Sequence, residues 1–155
     1  MSETRPVSLH LTLPLPPGIN SQYVQAGKRR VLSAGARKFK NQVLALISSL
    51  RQQPTWDPLI EAQIRRSLVG MYMTFYFETP LKRDLDGGLK IAIDSVAEAL
   101  HFDDRTVVDL HLTKQIDPLH PRLEMDIETI EDWTFDQSYI YLGESAQSIE
   151  PATTD

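Results

Sequence analysis

Residues 68–77 read LVGMYMTFYF, and after Pro80 the chain continues Arg83-Asp84-Leu85-Asp86-Gly87-Gly88-Leu89-Lys90, with further apolar residues at Ile93, Val96, Ala97 and Leu100. The first run is dense in β-branched and aromatic residues, which predicts a central strand apolar on both faces. Leu89, Ile93, Val96, Ala97 and Leu100 recur at three and four residues, the spacing of one helical face. Upstream, Val7 to Leu13 alternates with period two until Pro14, Pro16 and Pro17 stop it, giving a half-buried first strand. Ser33 is placed to cap a helix whose apolar face is Phe39, Val43, Leu46, Ile47 and Leu50. Residues 18–32 show no sustained period and read as a loop, and Pro54 and Pro58 end the helical segment and open a connection to about Arg66. Downstream, Thr106 to Thr113 and Arg122 to Ile130 alternate and read as two strands joined by a turn at Asp117 to Pro121.

The expected order is therefore βαβαββ. It describes an α/β (α+β) chain with a mixed β-sheet and about two packed helices in a single domain over residues 1–130. Residues 131–155 form an acidic C-terminal extension, with a small hairpin or clip near Trp133 to Tyr141 and a partly disordered composition after Gly143.

Composition narrows the chemistry. The 155 residues contain no cysteine, which excludes a disulfide framework, a thiolate metal site and a cysteine nucleophile, so any metal must be held by Asp, Glu or His. No apolar run is long enough for a membrane span and no signal peptide is evident, so the expectation is a cytoplasmic protein with no membrane partner. The net charge of −5 hides a segregation. Residues 124–155 hold nine acids and no Lys or Arg, leaving residues 1–123 with a formal charge of +4. A basic body suits a polyanionic partner; the acidic tail is either part of that system or a solubilising appendage.

Asp84 and Asp86 are two apart, so an extended Arg83 to Asp86 projects both carboxylates to one side and turns Leu85 into the core. Gly87 and Gly88 then permit a tight turn into the helix. Lys90 and Asp94 share a helical face, and Asp104 lies in the link to the next strand. Carboxylates converging from separate elements beside a lysine describe a hard-cation site able to activate water against a phosphodiester. Turn and helix capping is the competing explanation of the same aspartates. Lys28, Arg29 and Arg30, with Arg37, Lys38 and Lys40, form either a solvated face or a phosphate-contacting one, and Lys82 and Arg83 flank the carboxylates. Tyr23 is either a packing residue or a stacking platform, and His10, His101, His111 and His120 lack ligand spacing.

The order of these pieces resembles the RusA family of Holliday junction resolvases, over roughly residues 9–130. That family carries a Pro-Pro-x-x-Asn segment, an Arg-Asp-Leu-Asp-Asn-x-x-Lys motif and an Asp-Asp pair opening a strand. Here they stand as Pro16-Pro17-Gly18-Ile19-Asn20, as Arg83 to Lys90, and as Asp103-Asp104-Arg105-Thr106-Val107. Ser33-Ala34, Asp94 and Lys114 also fall where the family has similar residues. The resemblance implies a homodimer that resolves four-way branched DNA by paired symmetric cuts in recombination and repair, in a bacterial or phage-infected cell. It implies that Asp84, Asp86 and Asp104 bind Mg²⁺, with Mn²⁺ as a substitute, and that Lys90 is the catalytic lysine. In the nuclease that the resemblance implies, Lys82 and Arg83 beside these carboxylates are expected to touch DNA. Asn20 and Asp94 are further candidates, Asp94 either as a ligand or as the partner that directs Lys90, and Asp103 is expected to cap the turn. The alternatives are a non-catalytic branched-DNA binder of the same fold and a flap or fork nuclease. Two departures stand out: Gly87 replaces the family's Asn, and the acidic tail extends past the shared body.

Overall fold

The computed structural model describes residues 5–18, 23–81, 83–141 and 147–149. Its centre is a four-stranded sheet in the order β1-β6-β4-β5, built from β1 (Ser8–Leu13), β4 (Leu68–Phe77), β5 (Val107–Ile116) and β6 (Arg122–Ile130). β6 runs antiparallel to both β1 and β4, whereas β5 runs parallel to β4. The sheet is mixed, as expected, but β5 and β6 are not a hairpin: the link at 117–121 steps past β4, and β6 fills the gap between β1 and β4. A period-two pattern shows that a stretch is a strand and not which neighbour it pairs with.

All helices lie on one face. α1 (Ala34–Arg51) buries Ala36, Phe39, Val43 and Ile47, and Ser33 caps it by accepting a hydrogen bond from the Ala36 amide at 3.1 Å. α3 (Leu89–Leu100) buries Ile91, Ala92, Val96, Ala97, Ala99 and Leu100. Both close on Leu11, Leu13, Met71, Met73, Phe75, Leu123, Met125 and Ile127 from the sheet. The second face of the sheet is open, which corrects the expectation that β4 is apolar on both faces. Tyr72, Thr74 and Tyr76 are exposed or half-buried there. The two tyrosines have partners on this face: Tyr72 stacks on His111 at 4.6 Å between ring centroids and Tyr76 carries the Arg122 guanidinium at 3.9 Å. Among the described residues no helix is long and apolar enough to cross a membrane.

Three further elements depart from the expected order. Residues 18–32 are not all loop: β2 (Tyr23–Ala26) and β3 (Arg29–Leu32) pair antiparallel across Gly27 and Lys28. Gly27 has φ of +63°, the backbone that a hairpin with glycine at its first central position requires. The connection before β4 contains α2 (Pro58–Arg65), capped by Asp57, whose carboxylate accepts from the Leu59 amide at 2.9 Å. Pro58 breaks α1's pattern yet is well suited to start α2, because the first helical position needs no amide donor. In the extension, β7 (Tyr139–Tyr141) pairs with β8 (Gln147–Ile149), so part of the stretch after Gly143 is a strand; residues 142–146 and 150–155 lie outside the described residues.

A buried ion pair joins the helices at the end away from the aspartates. The Glu61 carboxylate, 5 % exposed, accepts from Arg51 and, at 2.7 Å, from Arg65. Arg51 also donates to the Ala99 carbonyl at 2.6 Å and Arg65 to the Leu100 carbonyl at 3.1 Å, so the C-terminus of α3 is tied to α1 and α2. Arg51 holds the Glu61 carboxyl below its usual range although burial opposes it, with Arg65 assisting. Glu61→Ala, which strands two guanidinium groups, is expected to lower stability by about 3 kcal/mol in urea unfolding.

On the open face, His10 is gripped from both sides: Nδ1 meets Asp126 at 2.8 Å and Nε2 meets Glu124 at 2.7 Å, with Thr12 and Arg122 on the same Glu124 carboxylate. The Asp126 hydrogen bond chiefly raises the His10 pKa above 6.5. A raised folded-state pKa contributes stability that is full below 6.5 and lost as pH rises through the folded value. The gap in melting temperature between wild type and His10→Gln should therefore be widest near about pH 6 and close toward about pH 9.

Candidate active site

The aspartate motif lies between the end of β4 and the start of α3. Residues 85–88 form consecutive turns, not the extended segment expected, with the Gly87 amide donating to the Asp84 carbonyl at 3.3 Å and the Leu89 amide to the Asp86 carbonyl at 3.1 Å. The alternation of burial survives: Leu85 packs against the core while Asp84 and Asp86 are exposed. Neither carboxylate has a hydrogen-bond or ion-pair partner among the described residues.

Why the turn needs its glycines also differs from expectation. Neither Gly87 nor Gly88 has a positive φ. Gly88 is required by proximity, since a Cβ there would sit 2.4 Å from Pro16 Cγ. Pro16 thus does more than stop β1; it roofs the start of α3. At Gly87 a Cβ would meet only the Asp84 carbonyl oxygen at 3.4 Å and Gly18 Cα at 3.9 Å, which is ordinary contact.

Behind the turn, Arg83 is folded inward. Its guanidinium lies over the Phe77 ring at 5.4 Å, and Nη2 is buried with no hydrogen-bond partner among the described residues, 3.3 Å from where a Gly88 Cβ would stand. Burial lowers its pKa. This residue, expected to reach DNA, instead supports the turn from beneath. Lys114 supports it from the side: from β5 its Nζ donates to the Pro80 carbonyl at 2.6 Å and the Arg83 carbonyl at 3.0 Å, 5.5 Å from the Phe77 ring centroid. Its place in a strand pattern gave no sign of this clamp.

Lys90 projects from the first turn of α3 and pairs with Asp94 at 3.3 Å. That hydrogen bond and charge raise the Lys90 pKa above 10.5, with smaller contributions from Tyr23 and Asp104. Of the two roles expected for Asp94, the ion pair is the one compatible with the contact seen here. Asp104 opens a 3-10 turn, Asp104–Thr106, immediately before β5. Asp103 caps that turn as expected, its carboxylate accepting from the Arg105 amide at 2.9 Å, and bonding by the Arg105 side chain lowers its pKa to about 2. Among the described residues no three Asp, Glu or His groups come together closely enough to hold a metal, so Asp104 does not join Asp84 and Asp86 in one cluster. Two free carboxylates still fit a hard cation such as Mg²⁺, which is commonly bound through one or two carboxylates while waters and phosphate oxygens complete its shell.

Lys28, Arg29 and Arg30 are exposed on the β2–β3 hairpin, and Arg37 and Lys38 are exposed on the first turn of α1; Lys40 is paired with Glu98. Asn20 and Lys82 lie outside the described residues. Gly88→Ala should destabilise the chain by about 2 kcal/mol because Pro16 cannot retreat without moving β1's exit, whereas Gly87→Asn should leave urea unfolding unchanged within about 0.5 kcal/mol.

No curated protein matches this sequence. The family model described as endodeoxyribonuclease RusA matches residues 14–128, from the proline segment that roofs Gly88 to Glu128 near the end of β6, and so takes in the aspartate turn, Lys90, Asp104 and Lys114. With most of its length matched, the chain belongs to the RusA endodeoxyribonuclease family and is a DNA phosphodiester hydrolase.

Proposed function

We propose that this protein is a divalent-metal-dependent resolvase that cuts four-way DNA junctions by paired, symmetric phosphodiester hydrolysis in recombination and repair. The observation that carries this reading is the turn itself: two exposed, unpartnered carboxylates, Asp84 and Asp86, braced by Arg83, Pro16 and Lys114 and set beside a charged lysine. Asp84 and Asp86 would hold Mg²⁺, or Mn²⁺ in its place, with Asp104 as a further candidate ligand. The bound ion supplies Lewis-acid charge to the scissile phosphate and lowers the pKa of the attacking water. The Lys90 ammonium, kept protonated and aimed by Asp94, opposes the negative charge that grows on the phosphate oxygens. Bracing matters because a rigid pair of ligands need not be reorganised as the transition state forms. Lys28, Arg29, Arg30, Arg37 and Lys38 contact flanking phosphates and position the strand.

Each chain carries one such set, and releasing two duplexes takes two cuts, so the working form is a homodimer whose twofold axis matches that of the junction. We place its action in the cytoplasm of a bacterial or phage-infected cell, as the resemblance to the family implies.

The test is a labelled four-way junction beside linear duplex, a fork and a flap, with and without Mg²⁺. Symmetric nicks that need the ion are expected on the junction, and Asp86→Asn should slow them by more than about 100-fold while leaving junction affinity within about threefold, since losing a carboxylate also removes repulsion of phosphate. Cutting of forks or flaps in preference to the junction would overturn the substrate assignment. Loss of binding together with cutting in Asp86→Asn would overturn the role given to Asp86.

A further inference from the structure

Between Thr4 and Trp56 the sequence has no Asp or Glu and eight Lys or Arg. Two of these cations are used internally, Arg51 with Glu61 and Lys40 with Glu98. Lys28, Arg29 and Arg30 cluster at the tip and on the second strand of the β2–β3 ribbon, where all three are exposed.

The ribbon's register sorts its side chains. Tyr23 opposes Leu32 and Gln25 opposes Arg30, so these four share one face; Val24 opposes Val31 and Ala26 opposes Arg29, and these share the other. The first face leans on the body: Leu32 packs against the core and the Arg30 guanidinium lies 5.2 Å over the half-buried Tyr23 ring. Among the described residues the second face is the more open one. Val24 is 48 % exposed and Ala26 is exposed beside it, with Val31 half-buried. A two-stranded element ordinarily keeps its β-branched residues for the packed side and sends polar ones to water. Here the apolar face looks outward, with Arg29 on it and Lys28 at the adjoining tip, while Arg30 stands on the opposite face. Cations in that position attract phosphates; small apolar side chains between them match base and sugar faces, and bases in continuous duplex are stacked and closed to such contact.

We propose that the β2–β3 ribbon enters the branch point of its DNA substrate, with Val24, Ala26 and Val31 against unstacked bases and Lys28, Arg29 and Arg30 on the phosphates either side. This rests on the junction-cutting function proposed above and assigns its preference for branched over linear DNA to the ribbon. Selectivity then comes from the apolar face, and affinity from the cations, because phosphate contacts are present on any duplex and exposed base faces are not.

The experiment uses the full-length protein in EDTA with a four-way junction carrying 2-aminopurine at the branch point, whose fluorescence rises when it unstacks. Wild type is expected to raise the signal. Val24→Ser, at a half-exposed position that should not disturb folding, and the double variant Val24→Ser/Val31→Ser are expected to cut that rise at least about threefold and to narrow the junction-to-duplex affinity ratio by about tenfold. Arg29→Ala/Arg30→Ala is expected to weaken junction and duplex alike and to flatten the slope of log K against log salt by about two. A full fluorescence rise and an undiminished junction preference in Val24→Ser would overturn the proposal, and so would conversion of a dimer to a monomer by Val24→Ser in sedimentation, which would make this face a contact between copies. If wild-type protein shows no preference for the junction over duplex, the junction-cutting reading itself fails, an outcome distinct from loss of the ribbon's role alone.

Discussion

A parallel pair of strands cannot be closed by a tight turn, because the chain leaves one strand at the end opposite to where it must enter the next. The pairing of β4 with β5 imposes that condition here, and the chain meets it with 29 residues: a loop, the aspartate turn, α3 and the 3-10 turn at Asp104. Every residue assigned to the chemistry belongs to this crossover. The same segment buries seven residues of α3, so the core holds the site in place and the site cannot shift without disturbing the core. Lys114 closes the circuit from the strand that the crossover delivers. It reaches back from β5 to the carbonyls of Pro80 and Arg83, joining the exit of the crossover to its entrance.

Sequence reading recovered what is local and missed what is set by neighbours. The cap at Ser33, the apolar face of α1 and the burial of Leu85 between two exposed aspartates follow from spacing of a few residues, and the structure has all three. Position of β6 between β1 and β4 depends on which edges are free when the sheet assembles, and no alternation of residues encodes that. Pro58 reads as a helix stop, yet proline also begins helices, and the eight strand residues around Gly27 are too few to show a period against a loop reading. The glycines of the turn were read through backbone freedom, whereas Gly88 answers to Pro16, more than seventy residues away in sequence. Arg83 misleads in a similar way: a cation beside two carboxylates looks like a DNA contact, and only the packing reveals the Phe77 ring beneath it.

The faces of the domain divide by charge as well as by polarity. On the open side of the sheet, Glu124, Asp126, Glu128 and Asp109 outnumber the cations, and His10 and Arg122 are consumed in pairing with them. On the opposite side, the acid-free segment from Thr4 to Trp56 supplies the ribbon and the exposed first turn of α1. A polyanion approaching such a surface is attracted on one side and repelled on the other, which orients it before any specific contact is made. The net charge of −5 therefore describes neither face.

Gly87 acquires a different meaning once the turn is seen to be braced from three sides. An Asn at that position contributes a side-chain amide able to fix a turn or contact a ligand. Here the Gly87 amide already bonds the Asp84 carbonyl, Pro16 closes over Gly88, and the Arg83 guanidinium fills the space below. The shape of the turn is thus determined without the side chain, and the space an Asn would occupy remains available to solvent or substrate. What the substitution removes is a hydrogen-bonding group at the surface of the site, not the scaffold that presents Asp84 and Asp86. Any change it brings to catalysis acts on contacts with the bound strand, while the two carboxylates keep the separation and direction that the crossover gives them.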